Sequence, residues 1–82
     1  MPRERSYIIE KHSAGMIEFF SGLNAATGIP EWSCDIGKAQ LWESRLHAEA
    51  QALLLSRNGD YGAMPVPVLT AVLGEALRHE KD

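Results

Sequence analysis

Apolar positions alternate near the start of this chain and later recur at helical spacing, and the change of period sets the expected elements. Residues 6–12 and 16–21 are rich in β-branched and aromatic side chains, with Ser13-Ala14-Gly15 between them. That pattern predicts a β-hairpin with a short connection. Side chains alternate across a strand. This reading therefore gives one face of the ribbon Tyr7, Ile9, Ile17 and Phe19, and the other Ile8, Met16 and Phe20 beside Glu10, Glu18 and His12. Both faces carry large apolar groups.

Residues 22–31 hold two glycines and one proline without a period, which predicts a loop. Ser33 or Asp35 is placed to cap a short helix over 36–42, weakened by Gly37. Ser44 is a stronger cap. It opens a run of helix formers, Arg45 to Arg57, that stops at Asn58-Gly59. Leu46, Ala50, Leu53 and Leu54 form one stripe of that helix, the face expected on the sheet, with Ala48, Ala52 and Leu55 opposite.

The segment 62–69 is the third extended stretch. Pro65 and Pro67 lie two apart, so their missing donors fall on one side of the chain, as suits a sheet edge. Leu69, Leu73, Ala76 and Leu77 then give a second helical stripe, with Thr70 as the expected cap. The order β-β-α(α)-β-α predicts a small α+β domain: a hairpin plus a proline-bearing edge strand, with two to three helices on one face of a two- or three-stranded sheet.

Eighty-two residues predict one domain over 1–82, with 1–5 and 79–82 frayed. The net charge of −3 argues against direct binding of nucleic acid, which needs a cationic stripe. The single Cys34 cannot form an internal disulfide. With neither an apolar leader nor a stretch of about 20 apolar residues, a cytosolic chain without a membrane partner is expected.

Chemistry is harder to find. His12, His47, His79 and Cys34 show none of the short spacings of a zinc site, so no metal and no cofactor is expected. No nucleophile elbow, phosphate loop or paired-carboxylate signature is present, which points away from an enzyme. Trp32 and Trp42, with Tyr7 and Phe19, are the largest groups available to fill a small core. Asn24, Thr27 and Gly28 make the loop 22–31 a candidate site for a nucleotide signal.

Tyr7-Ile8-Ile9, then Phe19-Phe20-Ser21-Gly22, then Trp32-Ser33 with Asp35, Ala39 and Trp42 ahead of an alanine-rich helix together form a pattern over about half the chain. It resembles small accessory proteins of bacteriophages and prophages, and the domain shape looks like that of some anti-CRISPR proteins. The resemblance implies a phage-encoded, non-catalytic inhibitor that binds a host protein or CRISPR effector complex stoichiometrically in the host cytoplasm, blocking a nucleic-acid-binding or nuclease-recruiting surface. The alternatives are a self-associating phage structural or regulatory protein, possible as a homodimer, and a nucleotide-binding anti-defence protein. If helices cover only one ribbon face, the reverse becomes the docking surface. Ile8, Met16, Phe20 and Trp32 are then the expected contacts, with Arg45 and Arg57 at the rim.

Overall fold

A computed structural model describes residues 6–80, with side chains described for 6–77. It is an α+β fold built on a four-stranded antiparallel sheet. The strands are β1 (Tyr7–Ser13), β2 (Met16–Leu23), β3 (Pro30–Ser33) and β4 (Met64–Pro67), in the spatial order β3-β2-β1-β4. Two helices, α1 (Arg45–Arg57) and α2 (Val68–Glu80), complete it. Expectations for 1–5, 81 and 82, and for the side chain of His79, lie outside the described residues, while the backbone of 79 and 80 continues α2.

The hairpin turn determines which residues meet. Its loop is two residues long, because Ser13 pairs with Met16. Ala14 and Gly15 both have positive φ, 53° and 80°, as a type I′ turn requires. This register pairs positions of opposite parity on the two strands, as in Lys11 with Glu18 and Glu10 with Phe19. Cross-strand partners share a face, so Ile9 stands beside Phe20, and Ile8 beside Phe19. The expected facing sets are thereby re-sorted: a one-residue difference in loop length moves a whole strand's side chains to the other face.

Both faces are covered. Ile9 and Phe20 are buried with Ala52 and Leu55 of α1, and Trp32, Trp42 and Ala63 pack around them. Ile8 and Phe19 are buried with Ala71 of α2, flanked by Ile17, Ile36, Ala39, Val66 and Val68. The helices therefore do not share one side of the sheet, as the sequence had suggested.

At its far end the sheet splits. The β2–β3 register shifts between Phe20 and Gly22, a bulge that bends the strand. The segment 40–42 enters the gap between β2 and β1. Gln40 N donates to Phe20 O at 2.9 Å, while Tyr7 and Trp42 exchange two backbone hydrogen bonds of 2.7 and 2.8 Å. Gly22 stands at φ 132°, with the Gln40 side chain at ordinary contact distance, 3.6 Å, from where a Cβ would be, so a larger residue there is strained by its backbone and not by crowding.

Caps account for the helix boundaries. Ser44 Oγ accepts from His47 N at the start of α1. At its end Asn58 N donates back to Leu54 O and Asp60 N to Leu55 O, around Gly59 at φ 115°. The predicted helix over 36–42 is a single 3-10 turn, Ile36–Lys38, capped by Asp35 Oδ1 accepting from Gly37 N at 2.9 Å. Thr70 does not cap α2, which starts two residues earlier, directly after Pro67. Val68 N donates to Ser6 O at 3.0 Å. β4 stands at the end of the strand order, and strand alternation turns the Pro65 and Pro67 nitrogens away from β1.

A part-buried lysine bolts the hairpin to the turn that follows α1. Lys11 Nζ donates to Asp60 Oδ1 at 2.9 Å, lies 3.8 Å from Glu18 Oε1, and sits 4.4 Å above the Trp32 ring. Lys11→Met keeps the stem over the ring but removes the charge from all three partners. A loss of about 1 kcal/mol in urea unfolding is expected, since both side chains of the Lys11–Asp60 pair are mostly shielded from water. An unchanged midpoint would show that the bolt holds nothing.

Candidate functional site

The six sequence-predicted contact residues do not converge. Ile8 and Phe20 are each 1% exposed and lie in opposite cores. The ribbon face they were expected to share does not exist, because the two-residue turn puts them on different sides. Neither can touch a partner in this fold. Met16 is 53% exposed, but it sits beside the hairpin turn. Trp32 is half-buried, packed edge-on against Phe20 at 5.6 Å between ring centroids. Its indole Nε1, like that of Trp42, is buried without a hydrogen-bond partner among the described residues. Both tryptophans thus belong to the α1 core at the cost of a desolvated donor.

Arg45 and Arg57 remain exposed, at the first and last positions of α1, about 18 Å apart along the axis. Arg45 Nε donates to Glu49 Oε2 at 3.0 Å, a surface pair of one helical turn. Between the arginines the outward side of α1 shows Leu46, Leu53 and Leu54, with Leu46 75% exposed. The helix is inverted relative to expectation: Ala48, Ala52 and Leu55 face the sheet.

The physical reason is volume. Phe20, Trp32 and Trp42 already occupy much of the layer over the sheet, so the helix above them approaches at normal packing density with two alanines and a single leucine, Leu55, turned inward. That signal was in the sequence. A strand face loaded with aromatics calls for the alanine stripe of its helix, while the leucine stripe is left outside.

The loop between β2 and β3 is a closed connection. Asn24 Oδ1 accepts from Ala26 N and Thr27 N at 2.8 and 3.0 Å, and its Nδ2 donates to Glu31 Oε2 at 3.0 Å. Thr27 Oγ1 accepts from Ile29 N, and Gly28 N donates to Asn24 O. The polar atoms suggested for a nucleotide are occupied in shaping the turn. His12 Nε2 lies 2.9 Å from Glu10 Oε1 on the surface. Among the described residues no three His, Cys, Asp or Glu side chains gather as a metal set, and no helix is long and apolar enough to cross a membrane.

No family model matches the chain, and no curated protein or solved structure matches it either.

Proposed function

We propose that this protein acts stoichiometrically, by docking the outward face of α1 on another protein, as a phage-type inhibitor of a host defence complex in the manner of an anti-CRISPR protein. The observation that carries the docking is the exposed Leu46, Leu53 and Leu54 set between Arg45 and Arg57. Exposed apolar clusters rimmed by polar groups favour protein contacts. Arginines at the ends of such a patch suit the rim of an interface, where they steer association and select partners. The class of target, a CRISPR effector complex in the host cytoplasm, rests on the resemblance of residues 7–42 to small phage accessory proteins and of the domain shape to some anti-CRISPR proteins. On this reading the chain needs no catalytic group, and the buried tryptophans and ribbon residues serve only to hold α1 in place.

The test mixes the purified chain with purified effector complexes of several CRISPR types and reads native mass spectra. Binding at a fixed whole-number ratio is expected for one type. The double variant Leu53→Glu/Leu54→Glu should weaken it at least thirtyfold, as loss of a hot spot would. Failure to bind any complex, or binding that ignores the double variant, refutes the proposal.

A further inference from the structure

The chain has two asparagines, Asn24 and Asn58, and the fold treats them in opposite ways. Asn24 is half-buried and precedes Ala25. Its side chain accepts from Ala26 N and Thr27 N and donates to Glu31 Oε2, so the amide is fixed at both of its polar atoms. Asn58 is exposed at the end of α1 and precedes Gly59. Its backbone N–H closes the helix on the carbonyls of Leu54, Leu55 and Ser56. Its side-chain amide has no hydrogen-bond partner among the described residues. Gly59 is exposed at φ 115°, and a Cβ added there would meet nothing within 4 Å. Its N–H is held weakly, by a hydrogen bond of 3.3 Å to Ser56 O.

We propose that Asn58 is a site of spontaneous deamidation through an intramolecular imide. The nucleophile is the backbone nitrogen of Gly59. It attacks Cγ of Asn58, so that an N–Cγ bond forms and the Cγ–Nδ2 bond breaks. Nδ2 leaves as ammonia with the proton that the Gly59 nitrogen gives up. Water then opens the five-membered ring at one of its two carbonyls. One opening yields aspartate, the other isoaspartate, in which the main chain runs through Cβ. One water is consumed and one ammonia released, and nothing is oxidised or reduced.

The position is chemically open for two reasons. The missing Cβ of Gly59 leaves the attacking nitrogen unshielded and lets the peptide plane swing. Ring closure also requires Asn58 to leave its ψ of 12°, which breaks the long Gly59 bond and the 2.9 Å bond from Asp60 N to Leu55 O. Both lie in the last turn of a helix, where local opening is easiest. At Asn24 the same reaction must undo three side-chain hydrogen bonds, and the nitrogen it needs is shielded by the Ala25 methyl group. The product changes the molecule. A new carboxylate stands at the negative end of the α1 dipole, next in sequence to Arg57. Isoaspartate also lengthens the backbone path to Asp60, whose Oδ1 holds Lys11 Nζ.

The purified full chain, incubated at neutral and mildly alkaline pH, is digested and read by peptide mass. Exchange of NH2 for OH is expected at Asn58 roughly tenfold or more faster than at Asn24. Aspartate and isoaspartate should appear together, because direct hydrolysis of the side chain gives aspartate alone. The rate should rise with pH, since base must take the Gly59 proton. Urea well below the unfolding midpoint should leave the rate unchanged, because local opening exposes little surface. Asn58→Gln, which can close only a larger ring, should stay intact over the same period. Equal rates at Asn24 and Asn58, aspartate without isoaspartate, or a rate that climbs steeply in dilute urea each overturns the proposal. So does an intact Asn58 after the time in which the urea-unfolded chain converts completely.

Discussion

Replacing Phe20 by alanine should cost about 3–5 kcal/mol of folding stability, enough to leave much of the protein unfolded at physiological temperature. The ring is 1% exposed, lies edge-on to Trp32, and touches the α1 side of the core with Ile9, Ala52 and Leu55. Its removal leaves a cavity bordered by the rigid Trp32 indole, which cannot collapse into it. Urea unfolding followed by tryptophan fluorescence measures the loss directly. The expectation drawn from residue pattern alone is the reverse: a folded protein that has merely lost its partner. A midpoint shift worth less than about 1 kcal/mol would show that Phe20 is not part of the core.

The orientation of α1 predicts a second large effect. Ala48 is fully buried where the helix meets the sheet. Ala48→Leu adds three carbons to a contact with no room for them, at a cost of about 1–3 kcal/mol. The opposite change on the outer side, Leu54→Ala, removes three carbons from a half-exposed residue and should shift stability by no more than about 0.5 kcal/mol. Were the leucine stripe turned inward, the ranking would invert. The pair of urea midpoints therefore decides which side of the helix is the inner one, and the docking proposal for α1 depends on that answer.

Much of the fold is legible in the residue pattern. The two hairpin strands, the Ser44 cap, the full extent of α1 and the extended stretch around Pro65 and Pro67 all follow from local propensity and capping chemistry. Register did not. A type I′ turn is normally announced by Asn-Gly or Asp-Gly, and here Ala14 occupies the left-handed position that alanine seldom adopts. That one residue decides whether Ile8 accompanies Phe19 or Phe20. β3 was hidden for another reason. Pro30-Glu31-Trp32-Ser33 is short, begins with proline and carries a single large apolar side chain, too little to set a period, so only its pairing with β2 defines it. The site was less legible than the fold, because every contact residue chosen on the ribbon depended on the register.

The position of β1 has a consequence for the chain as it is made. Its outer ladder is supplied by residues 64–67 and its inner end by the backbone of Trp42. The hairpin can close early, since its partners are adjacent in sequence. The remaining ladder waits until residues 64–67 have left the ribosome. Ile9 is reached first, by Ala52 and Leu55 of α1, while Ile8 stands uncovered on the growing chain until Ala71 of α2 follows.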